Sequence, residues 1–284
     1  MTEQNNNNVA VITGGAGGMG LAAARIMGRD HQVLICDVNQ SRLDAAQAQL
    51  TADGIRCHTV LCDITNRQSV LALVQQAISL GKVTSVIHTA GVSPQMADPG
   101  TIWKVNAVGT ININEAFYEL ACDGFAMVNV SSVSGHMLPG FLIPKRGYRF
   151  AHTDINRFLK RMLFVTNFFP KKARTGAAYS LSKNFVSWYT CAIAGRYGSK
   201  GARVVAVSPG SFDTEMGRLE KDAGAGELIN YSALKRFGRP EEVAELLAFC
   251  ASDKASYLTG VDIPCDGGVI ACITPKDIRA MQSH

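Results

Sequence analysis

The distribution of apolar residues along the chain predicts an alternation of strands and helices. Seven short segments are almost continuously apolar, as strands buried on both faces of a sheet are. The predicted strands are Val9–Thr13, Gln32–Asp37, Cys57–Asp63, Thr84–Thr89, Ala126–Ser131, Arg203–Ser208 and Val261–Cys265. Stretches of helical length lie between them, at Gly20–Arg29, Arg42–Asp53, Ser69–Leu80 and Glu241–Ala251. This order predicts the α/β class, with one doubly wound parallel sheet of about seven strands and helices on both faces.

One long segment interrupts this alternation, from about residue 136 to 176. Within it, Asp154–Phe169 has apolar residues at helical spacing behind a capping residue, which predicts an amphipathic helix. Residues 136–174 contain nine basic side chains and one acidic one, so their net charge is +8, whereas the whole chain carries +5. Because the basic residues are confined to one segment, the composition argues against a nucleic-acid-binding surface.

Length, composition and cysteine usage favour a single globular domain over residues 1–284 in a reducing compartment. No linker rich in Pro, Gly or Ser divides the 284 residues, and residues 1–7 and 275–284 are expected to be flexible tails. None of the eight cysteines forms a CxxC pair, and several lie in apolar runs, which is typical of reduced, buried thiols. The first residues lack a signal-peptide pattern, and no apolar run is long enough to span a membrane. We expect a cytoplasmic protein without a metal site.

A glycine-rich loop follows the first predicted strand and opens a helix. Thr13–Gly20 satisfies both TGxxxGxG and GxGxxG. Glycine permits a tight turn and close approach of the backbone, and a helix N-terminus offers free N–H groups to a pyrophosphate. No Lys-Ser/Thr pair follows the glycines, which excludes a phosphate-transfer P-loop. The loop therefore predicts a dinucleotide site on a Rossmann-type sheet.

An acidic residue, Asp37, ends the second predicted strand. A carboxylate at this place accepts hydrogen bonds from the adenosine ribose hydroxyls and repels a 2′-phosphate. The glycine loop contains no Arg or Lys to reverse this effect, although Arg42 is near in sequence. We therefore expect NAD in preference to NADP.

Tyr179 and Lys183 form a YxxxK pair, which places a phenol and an ammonium on one face of a helix. Together with the glycine loop, this pair resembles the short-chain dehydrogenase/reductase family. The resemblance extends from about residue 8 to 270. Further matching motifs are Val128-Asn-Val-Ser-Ser132, Pro209-Gly210 with Thr214, Arg236-Phe-Gly-Arg-Pro240 and Asp266-Gly-Gly268.

The resemblance implies a site and a reaction. It implies four catalytic residues, Asn106, Ser132, Tyr179 and Lys183, with Ser131 as the alternative to Ser132. It implies that the cofactor contacts Gly14, Gly18, Met19, Gly20, Asp37, Val38, Asp63, Ile64, Ala90, Gly91, Tyr179, Lys183, Pro209, Gly210 and Thr214. Tyr179 would act as general acid or base, assisted by the Lys183 cation, while Asn106 holds a water that relays protons. We expect an NAD(H)-dependent enzyme that interconverts a secondary alcohol and a ketone.

The sequence departs from the family pattern in two places. His88-Thr89-Ala90-Gly91 stands where the family usually has Asn-Asn-Ala-Gly, and we expect His88 to be structural. The segment between Ser132 and Tyr179 is much longer than usual and resembles one that some bacterial hydroxysteroid dehydrogenases carry. It could be a substrate lid, an oligomer interface or, least favoured, a membrane contact.

The segment suggests a substrate class. As a lid, it would line an apolar pocket with Phe141, Phe150, Phe158 and Phe164, next to basic residues that attract an acidic group. We therefore expect a bulky, hydrophobic, steroid-like substrate that could carry an acidic tail. We also expect the protein to form a homodimer or homotetramer. The alternative is a non-catalytic dinucleotide-sensing or scaffold protein on the same fold.

Overall fold

The chain folds around one parallel sheet. The computed structural model describes residues 7–222, 228–274 and 276–277, so nearly all of the predicted tails lie outside the described residues. The described strands are β1 (Asn8–Thr13), β2 (Gln32–Asp37), β3 (Cys57–Leu61), β4 (Lys82–His88), β5 (Ala126–Val130), β6 (Arg203–Pro209) and β7 (Asp262–Cys265). Their order across the sheet is β3-β2-β1-β4-β5-β6-β7, and every pairing is parallel. The predicted α/β class, strand number and doubly wound arrangement are confirmed.

Helices cover both faces of the sheet. They are α1 (Gly18–Met27), α2 (Gln40–Ala52), α3 (Arg67–Leu80), α4 (Pro99–Ile102), α5 (Thr110–Tyr118), α6 (Lys145–Tyr148), α7 (Ile155–Asn167), α8 (Arg174–Gly198), α9 (Glu215–Asp222), α10 (Leu228–Tyr231), α11 (Pro240–Ala251) and α12 (Val269–Cys272). A π-helical segment, Trp103–Gly109, joins α4 to α5. All four helices predicted between the strands are present, with ends that differ by one or two residues.

Two apolar cores lie on opposite faces of the sheet because successive strand residues point to opposite sides. In β1, Val9 and Val11 pack with α3, α5 and α8, whereas Ala10 and Ile12 pack with α1, α2 and α11. All four residues have no exposed surface, which explains why the strand sequence shows no polar alternation.

The topology creates a crevice where β1 and β4 are neighbours. The chain leaves β1 toward β2 on one side and leaves β4 toward β5 on the other, so the loops that follow these strands separate. This is the switch point at which doubly wound sheets bind ligands. The glycine loop follows β1 at this edge, and Gly14 has a φ of +64°, a conformation that favours glycine.

The segment 136–176 contains the predicted amphipathic helix as α7, which Asp154 caps by accepting a hydrogen bond from Arg157 N. The buried side of α7 packs on α8 and the π-helical segment. Trp103 Nε1 donates a 3.0 Å hydrogen bond to Thr166 Oγ1 in a buried position. The apolar side of this helix is thus part of the protein core.

This packing corrects the expected role of the segment's phenylalanines. Phe158 is fully buried between Trp103 and Phe185, at ring-centroid distances of 5.9 and 4.8 Å. Phe141 and Phe164 are exposed to solvent. The described linings of the large cavity in the crevice and of the smaller one that adjoins it include none of the four phenylalanines, and the segment contributes only Gly176, to the smaller one. The expected pocket lined by Phe141, Phe150, Phe158 and Phe164 is therefore wrong.

Candidate active site

A cavity of about 320 Å³ occupies the crevice at the carboxyl ends of the strands. Every residue expected to contact a cofactor lines it, together with both candidate serines, Ser131 and Ser132. The sequence did not indicate that Arg42, Glu215 and Met216 also line this cavity. Glu215 and Met216 belong to α9, whose position depends on the fold and not on a local motif.

The glycine loop is shaped to receive a pyrophosphate. Helix α1 starts at Gly18, and its N-cap Gly17 provides no side-chain cap for the first N–H groups. A Cβ atom on Gly18 would lie 2.9 Å from Thr214 Cγ2, and one on Gly20 would collide with the Gly14 carbonyl. Uncapped N–H groups at a helix N-terminus, beside glycines that tolerate no side chain, fit an anionic group.

The adenosine end of the cavity contains the predicted acid. Asp37 Oδ1 accepts hydrogen bonds from the backbone N–H groups of Val38 and Asn39, at 2.8 and 3.3 Å. Arg42, which lines the cavity beside Asp37, forms a 3.1 Å ion pair with Glu215. The ion pair joins the start of α2 to the start of α9, and the Arg42 guanidinium is thus bound to the Glu215 carboxylate.

Tyr179 and Lys183 are both largely buried on α8 at the inner end of the cavity. Lys183 Nζ lies 6.0 Å from the centroid of the Tyr179 ring and donates a 3.1 Å hydrogen bond to the Val130 carbonyl. The backbone of β5 thus holds the ammonium close to the phenol. A cation at this place favours the ionised form of the phenol.

The two serines that follow β5 have different surroundings. Ser131 Oγ donates a 2.7 Å hydrogen bond to the Lys183 carbonyl and accepts one of 2.9 Å from Ser187 Oγ. Ser132 Oγ accepts a 3.2 Å hydrogen bond from Ser134 N and lines both the large cavity and a neighbouring smaller one. The hydroxyl of Ser131 therefore ties β5 to α8, whereas Ser132 lies where the two cavities meet.

Asn106 lies in the π-helical segment, buried behind Val92. Its Oδ1 accepts a 2.9 Å hydrogen bond from Val92 N, and its Nδ2 donates one of 3.0 Å to the Val92 carbonyl. A Cβ atom built on Gly91 would lie 3.1 Å from Asn106 Oδ1 and 3.4 Å from Lys183 Nζ. The absent side chain of Gly91 thus leaves a small space bordered by both groups.

His88 is a buried link between β1 and the π-helical segment. Its Nδ1 lies 2.6 Å from Thr13 Oγ1, and its Nε2 lies 3.0 Å from Thr110 Oγ1. Thr110 donates its hydroxyl hydrogen to the Asn106 carbonyl, so Nε2 carries the hydrogen and Nδ1 accepts. Burial and then the charge of Lys183 lower the pKa of His88 to about 3, so the imidazole is neutral.

Thr89 is the second residue that differs from the family's usual Asn-Asn, and it also forms a structural hydrogen bond. Its hydroxyl donates a 2.7 Å hydrogen bond to the Thr13 carbonyl, which joins β1 to the residue after β4. The His88 imidazole and the Thr89 hydroxyl thus connect β1 and β4 at the bottom of the crevice, and Thr110 extends this connection to the Asn106 carbonyl.

A smaller cavity of about 170 Å³ adjoins the first and shares Ser132, Tyr179, Gly210 and Gly217 with it. The other lining residues are Pro94, Gln95, Val133, Ser134, Gly176, Ser180, Ser211, Leu228 and Phe237. None of these described lining residues carries a formal charge. They come from six separate parts of the chain, so no spacing in the sequence could have indicated them.

The described part of the chain contains no group of three or more His, Cys, Asp or Glu side chains placed to hold a metal ion. Among its helices, none has both the length and the apolar character needed to cross a membrane.

Comparisons with known proteins agree with this geometry. The family model described as short chain dehydrogenase matches residues 8–143, and one described as enoyl-(acyl carrier protein) reductase matches residues 166–270. The chain is 32% identical to the short-chain dehydrogenase/reductase bsc3 of Alternaria brassicicola, over 92% of this chain and 95% of that protein.

Two further relatives and one solved structure are similar over nearly their whole length. The cis-4-hydroxycyclohexanecarboxylate dehydrogenase of Sinomonas cyclohexanicum is 30% identical, over 95% of this chain and 100% of that protein. The 3beta-hydroxysteroid dehydrogenase 2 of Eggerthella lenta is 28% identical, over 94% and 98%. The crystal structure of gox2181 superposes with a TM-score of 0.73 and 25% identity, over 94% and 96%. The chain belongs to the short-chain dehydrogenase/reductase family of oxidoreductases, which use nicotinamide cofactors.

Proposed function

We propose that the protein is an NAD(H)-dependent dehydrogenase that interconverts a neutral secondary alcohol and its ketone. The observation that carries the proposal is that Tyr179 and Ser132 line both the large cavity and the smaller one, with Lys183 beside Tyr179 in the large cavity. A reacting C–O group placed in the smaller cavity would lie beside the phenol and the Ser132 hydroxyl. The bound nicotinamide would accept or supply the hydride.

Each of the four residues has a physical role in this reaction. Tyr179 takes the alcohol proton in one direction and returns it in the other, and the Lys183 cation makes the phenolate accessible near neutral pH. Ser132 donates a hydrogen bond to the reacting oxygen as its charge develops. The space beside Gly91, bordered by Asn106 and Lys183, would hold the water that relays the proton.

The preference for NAD follows from the charges at the adenosine end. Asp37 lines the cavity where a 2′-phosphate would lie, so a carboxylate opposes the additional negative charge of NADP. Arg42 could neutralise that phosphate, but its guanidinium is paired with Glu215 at 3.1 Å. The Asp37 carboxylate and the Arg42–Glu215 pair both favour NAD.

The smaller cavity supports a neutral, compact reacting group. Its described lining combines Leu228 and Phe237 with hydroxyl and amide groups and has no cation for a carboxylate. Its volume of about 170 Å³ lies below the roughly 300 Å³ at which typical ligand pockets begin. A steroid-like substrate would therefore insert only the ring that bears the oxygen. A basic anchor for an acidic tail is not part of this proposal.

The proposal extends to the location of the protein and to its oligomeric state. All eight cysteines are free thiols in the structure, which supports a reducing cytoplasm as the location. The exposed rings of Phe141, Phe164 and Phe168 in segment 136–176 support a contact between copies in a homodimer or homotetramer as its second role, besides its packing on α8.

The test is oxidation of NADH by the purified protein with cyclohexanones, steroid ketones and their carboxylated analogues. We expect turnover with neutral ketones and a loss of about a thousandfold or more in Tyr179→Phe, because the general acid is removed. Tyr118→Phe, which changes a tyrosine outside both cavities, is the matched control. Binding of NADH without turnover of any ketone, alcohol or control substrate would instead support a dinucleotide-sensing protein.

A further inference from the structure

A histidine–aspartate ion pair lies behind the segment that presents Ser132. His136 Nε2 is 2.9 Å from Asp262 Oδ2 and 3.2 Å from Ser208 Oγ. Ser208 donates its hydroxyl to the same carboxylate at 2.9 Å. The Asp262 side chain is 9% exposed and that of His136 is 32% exposed, so water only partly screens the pair. Neither residue lines the large or the small cavity.

The pair joins three parts of the fold that meet beneath the site. His136 ends a 3₁₀ turn, Val133–His136, that follows β5, whereas Asp262 begins β7 and Ser208 lies in β6. One carboxylate, at the start of β7, thus interacts with the turn through His136 and with the neighbouring strand β6 through Ser208.

The turn controls the position of Ser132. Ser132 is the N-cap of the turn, and its Oγ accepts a hydrogen bond from Ser134 N. Gly135 N donates a 2.9 Å hydrogen bond to the Ser132 carbonyl, and Asn184 on α8 donates one of 2.8 Å to the Gly135 carbonyl. A Cβ atom on Gly135 would lie 2.7 Å from Asn184 N, so the turn lies directly against α8.

We propose that the ion pair of His136 with Asp262 is a positioning device that fixes the Val133–His136 turn, and thereby Ser132, relative to Tyr179 on α8. The proposal rests on the proposed dehydrogenase function for its kinetic consequence. His136 and Asp262 are positioning residues, since neither lines either cavity. The pair acts on the distance between the two groups that hold the reacting oxygen, and small errors in such a distance reduce catalysis strongly.

The charges around His136 make this positioning pH-dependent. The hydrogen bond to Asp262 raises the pKa of His136 above its usual value, and the charges of Asp262 and Asp266 add to this while burial opposes it. Cys191 on α8 is a titratable group that faces the same Asp262 carboxylate, and β6 contributes the neutral Ser208. The charged pair is therefore present below the pKa of His136 and is lost as the pH rises through that pKa.

The buried carboxylate of Asp262 is kept ionised by the groups that hydrogen-bond to it. Burial alone would raise the pKa of Asp262, and the hydrogen bonds from His136 and Ser208, with the charge of His136, outweigh it, so the pKa is lowered. Removal of the imidazole cation leaves a buried carboxylate with neutral donors only. The turn would then be held less firmly against β7, with no change to the cofactor cavity.

The experiment compares His136→Gln, which retains a hydrogen-bond donor but cannot ionise, with His31→Gln, which removes the imidazole of a His–Asp pair far from the site. We expect kcat of the whole enzyme to fall about tenfold in His136→Gln, with an unchanged Kd for NADH, because misplacement by a fraction of an ångström already costs activity. The decrease of kcat at alkaline pH should be present in the unaltered protein and His31→Gln and absent in His136→Gln. Asp262→Asn should reproduce both effects.

A second measurement does not depend on turnover. Hydrogen exchange of the Ser134 and Gly135 amides should be faster in His136→Gln than in the unaltered protein. In the unaltered protein, exchange corrected for the intrinsic rate should also become faster as the pH rises through the pKa of His136. Unchanged exchange together with an unchanged kcat profile would overturn the proposal. Equal losses of kcat, NADH binding and thermal stability in His136→Gln would also overturn it, because they would indicate a general structural role. If no ketone is turned over by any form, the dehydrogenase function fails while the exchange measurement still decides the role of the pair.

Discussion

The hydroxyl of Ser131 donates a 2.7 Å hydrogen bond to the main-chain carbonyl of Lys183, which connects the strand that presents one candidate catalytic group to the helix that presents another. The neighbouring Ser132 hydroxyl reaches the junction of the two cavities. Of these two adjacent serines, Ser131 thus has a structural position and Ser132 a position suited to catalysis. Substitution of each serine by alanine can distinguish the two roles.

We expect Ser132→Ala to lower kcat with a ketone by about 100-fold to 1000-fold, the effect of removing one donor to a developing oxyanion. Ser131→Ala should mainly lower the free energy of unfolding, by about 1–2 kcal/mol, because it breaks a buried hydrogen bond. Steady-state kinetics and urea denaturation of both variants measure the two effects. The opposite pattern, with the larger loss of kcat in Ser131→Ala, would assign the catalytic role to Ser131.

The cofactor preference should change when the charges at the adenosine end change. Asp37→Ser should tighten NADPH binding about tenfold, and adding Glu215→Gln should tighten it about tenfold again, since each step corresponds to ~1.4 kcal/mol. The second substitution releases the Arg42 guanidinium for the 2′-phosphate. Fluorescence titration with NADH and NADPH gives both constants. A second step that persists when Arg42→Gln is added would show that Arg42 is not responsible.

Asp44→Asn is the matched control for the cofactor prediction. It neutralises a carboxylate on the same helix as Arg42 that accepts a hydrogen bond from Gln40 and does not line the cavity. The ratio of the two dissociation constants should not change in this variant.

Acid should destabilise the fold through His88. Its folded pKa of about 3 lies below the unfolded value of about 6.5, so the unfolded chain takes up the proton first as the pH falls. Stability is lost below pH 6.5, by about 2 kcal/mol between pH 7 and 5 for this one group. In His88→Asn, which introduces the family's usual residue, urea denaturation at these two pH values should show a decrease smaller by that amount. An equal decrease in both proteins would mean that the imidazole is not buried neutral.

The space beside Gly91 should be necessary for proton transfer. In Gly91→Ala the methyl group would lie 3.1 Å from Asn106 Oδ1 and 3.4 Å from Lys183 Nζ, where the relay water is proposed. We expect kcat to fall about tenfold or more, with a smaller change in KM. Gly195→Ala, whose added methyl group on α8 meets open space, serves as the control. Full activity of Gly91→Ala would remove the basis for a relay at this place.

The segment 136–176 should contribute to stability through the buried side of α7. Phe158→Ala should lower the free energy of unfolding by about 3–5 kcal/mol, because it removes a fully buried ring from between Trp103 and Phe185. Phe164→Ala changes a 55% exposed ring and should remain within about 0.5 kcal/mol. Urea denaturation compares the two variants. Similar small effects would mean that the segment is detached from the core in solution.

The fold and the cofactor loop could be predicted from the sequence because their signals are local. Seven apolar runs, glycines at fixed intervals and an acid at the end of a strand each lie within a few residues of the chain. The approach of Tyr179 to Lys183 is also local, since i and i+4 share a helix face. The position of His88 as a structural residue followed from its strand, but its partners Thr13 and Thr110 did not.

Only the tertiary structure decided which distant residues meet. Asp262 lies 126 positions from His136, and Glu215 begins helix α9, far along the chain from Arg42. The burial of Phe158 depended on whether α7 turned its apolar side toward α8 or toward a substrate, and amphipathic spacing is the same in both cases. The chain thus determined the sheet, the glycine loop and the Tyr–Lys pair by local pattern. Packing determined the ion pairs and the place of the segment, because a contact between separate elements leaves no period in the sequence.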